Sequence, residues 1–393
     1  DVEAALLAGA KSVDAVEIDP AILKLSEKFS PSNIYHDPRV HVHVEDARTF
    51  LQRTGMQYDA VIFGFLDSQN LFSYGSNLRL DGYIYTVECF ARAFDRVRDG
   101  GLMSVSFSVP QDWVAEKLAR MLQQASGTEP IVYQFRRQYV LLVPKFEPKV
   151  IPQSEQMFVR ADSGAMLQSR WPLASDDWPY LYLSRRGVPI DYCIVIAILL
   201  ILSAAGVLTV RKSVQIDLPD AHFFFLGAGF LLLQTKSIQD CSLYFGTTWL
   251  VSMIVISGTL LMILAANLLA MRLRSTAIWA YLPLLASVLA LQWIDRHAVL
   301  AWPLQTRLAW AILVVPLPIF FAGLIFSTTF RNANNPSACF GANLIGATVG
   351  GFCEYLGMWI GISALSWLVI AAYLASACCV SFAKGRSRIR TDE

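Results

Sequence analysis

The chain has 393 residues and a formal net charge of +1, with 55% hydrophobic and 16% charged residues, against roughly a quarter charged in an ordinary soluble domain. Of the 32 basic and 31 acidic residues, 44 fall in residues 1–191, 13 in 192–382 and six in the last eleven. That distribution excludes a single soluble globule, a disordered chain and a nucleic-acid binder working through a basic face. It leaves a soluble domain over 1–150, a junction over 151–188, an apolar polytopic domain over 189–383 and a basic tail over 384–393.

Residues 2–9 have helical spacing and close on Gly9, a plausible stop. A short apolar run over 13–18 predicts a strand, which ends at Asp19-Pro20, and a helical pattern follows over 21–29. Residues 40–44 (VHVHV) alternate as a strand does, with Glu45-Asp46 and a short helix from about Ala47 behind them. The run 58–65 is nearly all apolar, which predicts a strand buried on both faces. An amphipathic helix over 84–98 leads through Asp99-Gly100-Gly101 into a further strand over 102–109, a helix over about 111–125 and a late strand over 139–144. Strands alternating with helices across short loops predict a parallel, doubly wound α/β sheet. The seven cysteines, Cys89, Cys193, Cys241, Cys339, Cys353, Cys378 and Cys379, have no CxxC spacing and read as buried thiols, so no metal site is expected.

Ligands of such sheets sit beyond the carboxyl ends of the strands. The residues there are Glu17, Asp46, Asp67 and Ser106. A carboxylate at one strand end can accept from both ribose hydroxyls, and one at the next from the exocyclic amine of adenine. Each also suits the cap of the following helix. Their joint placement at successive strand ends favours a nucleoside site. The polar-aromatic segment 66–80 lies at the same edge and reads as a lid that selects the acceptor.

The run VDAVEIDPAILKLSEKF over 13–29, then Asp37-Pro38-Arg39-Val40 with EDARTFL over 45–51, then YDAVI over 58–62, Asp67, and Tyr85, Phe90 and Gly100-Gly101 resemble the spermidine synthase family. Its members are aminopropyltransferases on the class I S-adenosylmethionine methyltransferase (Rossmann-like) fold, and the resemblance covers residues 1 to about 145. It implies that Glu17 and Ile18 bind the ribose of S-adenosylmethionine or of its decarboxylated form, and that Asp46 and Ala47 hold the adenine. It implies further that Asp67 and Tyr85 are catalytic and that Tyr83, with Asp67, meets the acceptor. The chain departs from the family pattern in several ways. It opens at the first helix of that fold, without the first strand and its glycine-rich turn, as an N-terminally truncated member would. Gly64 and Ser68 stand where the family has an Asp and a Pro, and Ser104-Val105-Ser106-Phe107 replaces a Gln-bearing strand end. Aminopropyl transfer needs a base near the amine and acidic groups to anchor a polycation, so these departures bear on the identity of the acceptor.

Residues 175–183 (SDDWPYLYL) read as a belt at headgroup level, with contact to the active site as the other reading. Apolar stretches of spanning length follow at 190–210, 245–271, 277–294, 307–328, 338–356 and 359–382. A further stretch, 223–233, is too short to span comfortably and reads either as re-entrant or as a helix lengthened by burying Lys236 against a partner. Lys236, Asp240 and Glu354 stand out as charges in apolar surroundings, with Lys236 and Glu354 as a membrane polar site. Asn267 and Asn343 suit hydrogen bonds between helices, and Gly346-xxx-Gly350 suits close helix packing. Basic residues from Lys384 to Arg390 place the tail, and a cytosolic adenosyl cofactor places the soluble domain, on the cytoplasmic side of a bacterial inner membrane; six spans satisfy both, whereas seven would bring Arg211-Lys212 inside but export the nucleoside-binding domain.

Residues 225–237 with 246–251, and Asp176 to Pro179 ahead of them, resemble the bacterial integral-membrane subgroup of spermidine synthase-like proteins, with Gln234 in place of a Glu. The resemblance implies a membrane-embedded transferase that moves an aminopropyl or methyl group from an adenosyl sulfonium donor to an amine or a lipid-like acceptor. The bilayer is then a partner, nucleic acid is not, and a homodimer stays open. The competing expectation is a transporter or membrane sensor whose nucleoside-binding domain is catalytically reduced.

Overall fold

The short run of residues 13–17 and the valine alternation of 40–44 make a pair of parallel strands in the computed structural model, which describes residues 1–29, 34–66, 82–109, 111–146, 158–210, 218–246 and 248–389. These residues divide into two units. One comprises Asp1–Arg185 with Ser242–Thr248 and His297–Ala301, the other Arg186–Cys241, Trp249–Arg296 and Trp302–Glu393.

The first unit runs α1 (Val2–Leu7), β1 (Val13–Glu17), α2 (Pro20–Phe29), β2 (Val40–Val44), α3 (Ala47–Arg53), β3 (Tyr58–Phe63), α4 (Val87–Asp95), β4 (Val97–Ser108), α5 (Asp112–Ser126), β5 (Ile131–Phe135), β6 (Gln138–Pro144), β7 (Val159–Arg160) and α6 (Ser163–Leu167). β1 and β2 pair in parallel from Val13↔Val40 to Glu17↔Val44. A second sheet has the order β3-β4-β6-β5-β7. Within it β3 and β4 are parallel, while β4–β6, β5–β6 and β5–β7 are antiparallel. The wholly parallel sheet expected from the sequence is therefore a mixed one. The cause is a tight hairpin at Arg136-Arg137, where Arg136 takes a φ of 53° and turns β6 back along β5 and β4.

The core lies between β4 and the helices α4 and α5. Alternate residues of β4, namely Met103, Val105 and Phe107, are fully buried, as strand geometry requires. Cys89, Phe90 and Ala93 of α4 and Val114, Leu118, Met121 and Leu122 of α5 cover them at helical spacing. Each fully buried large aliphatic or aromatic side chain contributes about 1.5–3 kcal/mol. Thr86 caps α4 by accepting from Cys89 N (3.3 Å), and Gly127 ends α5 in the left-handed region at φ 72°. β3 departs from the buried strand expected there. Phe63 faces the core, but Asp59, Ala60 and Ile62 are exposed, and among the described residues β3 pairs with β4 alone.

The later helices are α7 (Ile190–Val210), α8 (Leu218–Phe245), α9 (Trp249–Arg272), α10 (Tyr281–Gln292), α11 (Arg296–Ala301), α12 (Leu304–Leu313), α13 (Leu317–Phe330), α14 (Pro336–Cys353), α15 (Gly357–Ile360) and α16 (Leu365–Ile389). Among the described residues, three stretches are long and apolar enough to cross a membrane: Asp220–Phe245, Trp249–Arg272 and Leu304–Phe330. Shorter apolar helices cover Ile190–Gly206, Ile278–Gln292 and Leu365–Ser381.

Of the two readings of 223–233, the structure has the lengthened helix and not the re-entrant segment. α8 is one helix of 28 residues that continues through Gln234 to Ser237, about 42 Å at 1.5 Å per residue. Lys236 does not end it, because Asp240 one turn on neutralises the ammonium. The stretch expected at 307–328 is divided at Pro316 into α12 and α13.

The small residues bring α8 and α14 together as expected. A Cβ on Gly346 would collide with the carbonyl of Phe224, one on Gly350 with that of Ala228, and one on Gly227 with that of Asn343. Asn343 Nδ2 donates to Phe223 O at 3.1 Å, and Ser327 donates to Asn267 Oδ1, tying α13 to α9.

Candidate functional site

The parallel register of β1 and β2 sets the geometry of the site. Glu17 is the last residue of β1 and pairs with Val44, the last of β2, and Asp46 follows two residues later. Both carboxylates thus stand at the carboxyl end of one parallel pair, where ligands of such sheets are held. Asp46 caps α3 from an extended backbone, with Oδ1 accepting from Thr49 N at 2.9 Å. Capping and ligand binding are compatible here, since a carboxylate has acceptor capacity for both. Glu17 Oε1 accepts from Asp19 N (3.1 Å), and Asp19 Oδ1 accepts from Ala21 N (2.8 Å), so the turn around Ile18 is closed by local bonds. Gly246, within the Ser242–Thr248 segment of the same unit, reaches this end with φ 77°, and a Cβ there would lie 3.1 Å from Asp46 Oδ2. The sequence pattern gave no sign of that approach.

The other expected residues scatter. Ser106 lies inside β4, paired with Val140, and not beyond a strand end. Tyr85 is fully buried, with its ring edge-on to Phe107 (5.0 Å) and Phe90 (6.2 Å), so it is a residue of the core and not of an exposed cleft wall. Tyr83 is also buried, and its carbonyl accepts from Arg48. Asp67, and with it the expected lid from Asp67 onward, lies outside the described residues. The side chain of Asp1 occupies the space beside Gly64 where a Cβ would go.

One residue that the sequence reading passed over organises this region. Arg48, the second residue of α3, is 3% exposed. Its Nη1 donates to Asp176 Oδ1 (2.6 Å), Thr86 Oγ1 (3.0 Å) and Tyr83 O (3.1 Å), and its Nη2 to Asp176 Oδ2. Thr86 Oγ1 donates to Asp176 Oδ1 (3.0 Å), and Asp176 N donates to Glu88 Oε2 (3.0 Å). Burial, and then the neighbouring Asp176, push the Glu88 carboxyl up. Burial likewise pushes the Cys89 thiol to about 12, which leaves it no thiolate character near neutral pH.

The headgroup-level reading of residues 175–183 is therefore overturned. Trp178 has no exposure, Leu181 is 4% exposed, and both lie within the first unit. Lys117 of α5 holds the same stretch. Its Nζ donates to the carbonyls of Tyr180 (2.8 Å), Leu181 (2.9 Å) and Leu183 (3.2 Å) and stands 4.7 Å from the Trp178 ring. Burial pushes the Lys117 ammonium down to about 7, while three carbonyl acceptors and an aromatic face oppose that shift.

In the second unit Lys236 and Glu354 are not partners. Lys236 pairs with Asp240, whose other oxygen lies 3.5 Å from Arg296, and Glu354 Oε1 accepts from Gln239 Nε2 at 2.8 Å. The two candidates are joined through successive residues of α8. Among the described residues no group of three or more His, Cys, Asp or Glu side chains is arranged to hold a metal ion.

Residues 5–151 match the family described as the spermine/spermidine synthase domain. The polyamine aminopropyltransferase of Alkaliphilus oremlandii is 27% identical over 95 residues, 24% of this chain and 30% of the relative. That of Korarchaeum cryptofilum is 32% identical over 94 residues, 23% and 26% of the two chains. Polyamine aminopropyltransferase 2 of Bacillus cereus is 27% identical over 158 residues, 37% and 41%. The chain thus spans between about a quarter and two fifths of the curated relatives it matches. The matched region contains the strands that present Glu17 and Asp46, and over residues 5–151 this chain is similar to the spermine/spermidine synthase domain.

Proposed function

We propose that the soluble unit binds an adenosyl sulfonium donor and transfers its aminopropyl group to an amine. The observation that carries this reading is the placement of Glu17 and Asp46 at the carboxyl end of β1 and β2 within the matched region. Glu17 and Ile18 would receive the ribose, and Asp46 and Ala47 the adenine. In the transfer, the amine nitrogen attacks the carbon beside the sulfonium and forms the N–C bond. The C–S bond breaks with its electron pair going to sulfur, the neutral thioether leaves, and the new ammonium gives up a proton to a carboxylate. Asp67 is the residue proposed for that proton, with Tyr83 beside the acceptor. Loss of the sulfonium charge means that the leaving group needs no general acid. Decarboxylated S-adenosylmethionine is the donor the family suggests, and S-adenosylmethionine would make the step a methyl transfer. Gly64 removes one acidic anchor for a polycation, which favours an acceptor with fewer charges, including a lipid-like one. The apolar helices support embedding in a bilayer, with the soluble unit and basic tail on the cytoplasmic face.

A second reading is a transporter or sensor with a regulatory nucleoside site, and the Lys236–Asp240–Arg296 group among apolar helices favours it. One assay separates the readings: the purified chain, given decarboxylated donor and putrescine, is followed for methylthioadenosine release, beside methyl transfer from S-adenosylmethionine. Release that is lost in Glu17→Gln and Asp46→Asn supports aminopropyl transfer. Methyl transfer alone moves the activity to the other donor, and binding without turnover supports the regulatory reading.

A further inference from the structure

We infer that the buried Arg48–Asp176 pair is a positioning device for the adenosyl pocket, through which residues 174–178 set the orientation of the Asp46–Ala47 turn. The inference rests on the reading of Asp46 and Ala47 as adenine contacts, and it adds two positioning residues that neither the family match nor the strand-end pattern supplies.

A cation in the first turn of a helix opposes the helix dipole. Arg48 sits in that turn of α3 and is almost wholly buried, which is unfavourable on both counts. Such a violation of a local rule is expected where position matters more than stability. The compensation is specific. A planar guanidinium meets both oxygens of Asp176, a geometry that fixes direction as well as distance. The same guanidinium reaches Tyr83 O and Thr86 Oγ1. One side chain thereby ties together the turn that carries Asp46 and Ala47, the segment that carries Tyr83, and the Asp176 block. An apolar pair of similar volume would serve stability alone equally well, so what the ion pair supplies is orientation. Arg48 is two residues from Asp46 on a helix of seven, and rotation of that first turn would carry the Asp46 carboxylate and the Ala47 N–H away from the edge of the β1–β2 pair.

The test uses the full chain in detergent, with Arg48→Lys, which keeps the charge and loses the fork, and the double variant Arg48→Met/Asp176→Leu, which removes both charges. Methylthioadenosine is the binding probe, and the donor KM, kcat, thermal midpoint and amide exchange at 46–49 and 83–86 are measured. The double variant is expected to melt near the wild type, to bind methylthioadenosine about tenfold more weakly, and to raise the donor KM by a similar factor with kcat little changed. Exchange at both segments should quicken, and Arg48→Lys should fall between. A folded double variant with wild-type affinity, KM and exchange overturns the inference, as does a Lys variant indistinguishable from wild type. Should wild-type protein bind no methylthioadenosine, the adenosyl reading itself fails. Amide exchange then reports separately whether the pair orders the two segments, and unchanged exchange overturns the tether as well.

Discussion

Arg48 and Asp176 lie 128 positions apart in the sequence and meet through both guanidinium nitrogens inside the first unit. Removing one partner strands the other in a site with almost no water. Asp176→Asn is therefore expected to destabilise this unit by about 3–5 kcal/mol, whereas Arg48→Met/Asp176→Leu should cost much less. Denaturant titration of the three proteins checks this. A single substitution no worse than the double one would show that the pair is not an isolated, desolvated ion pair.

Lys117 gives a pH dependence with a definite sign. Its ammonium is pushed down to about 7 from an ordinary value of 10.5 by burial. Between those pH values the unfolded chain binds the proton more tightly than the folded one, so stability should rise as pH climbs from about 7 toward about 10. Lys117→Met should flatten that slope. It should also loosen residues 180–183, whose carbonyls lose their donor. Thermal midpoints at stepped pH, beside amide exchange in that stretch, measure both effects. Equal slopes in the two proteins would mean that the carbonyl cage holds the proton throughout.

Local signals make much of the first unit legible. The alternation of 40–44, the Asp46 cap and the order of carboxylates at strand ends all act within a few residues, and β1, β2 and α3 stand where the pattern put them. What escaped depends on distant partners. Trp178 and Asp176 look like a membrane belt until Arg48 and Lys117 are brought to them across the fold, because a paired acid beside aromatics has the same composition in either setting. β5 is not legible in the sequence because IVYQF does not alternate as VHVHV does, and its strand character comes from pairing with β6. Whether 223–233 extends into a longer helix is not legible from its own residues, because it depends on Lys236 meeting Asp240 one turn on. The resemblance marks Tyr85 without showing its surroundings, and its burial between Phe90 and Phe107 follows from how α4 packs on β4.

The glycines of α14 separate contact from propensity. Space around Gly341 is open, so Gly341→Ala should be neutral or stabilising by up to about 1 kcal/mol through helix propensity. Gly346→Ala and Gly350→Ala force a methyl against the backbone of α8, which cannot yield as a side chain does, and each should cost about 1–3 kcal/mol. Melting of the three variants in one detergent is the comparison. Equal midpoints would mean that α8 and α14 do not approach as described.

Asp240 carries more of the α8 charge group than Lys236 does, because it faces two cations. Lys236 sits one turn earlier on the same helix, and Arg296 approaches the second carboxylate oxygen at 3.5 Å while donating to Ser363 Oγ at 2.9 Å. Lys236→Met leaves Asp240 with Arg296, and the methionine fills the space of the lysine stem, so a loss of about 1 kcal/mol or less is expected. Asp240→Asn leaves the two cations facing a neutral amide among apolar helices. Arg296 retains Ser363, but Lys236 is 7% exposed and has no comparable substitute. The expected loss is about 3 kcal/mol, with Lys236→Met/Asp240→Asn recovering part of it because the stranded charge is gone. Thermal midpoints of the two single variants and the double variant close the cycle. A Lys236→Met loss equal to that of Asp240→Asn, or a double variant that simply sums the two, would show that Arg296 adds nothing to the pair and that the group is not a single electrostatic unit.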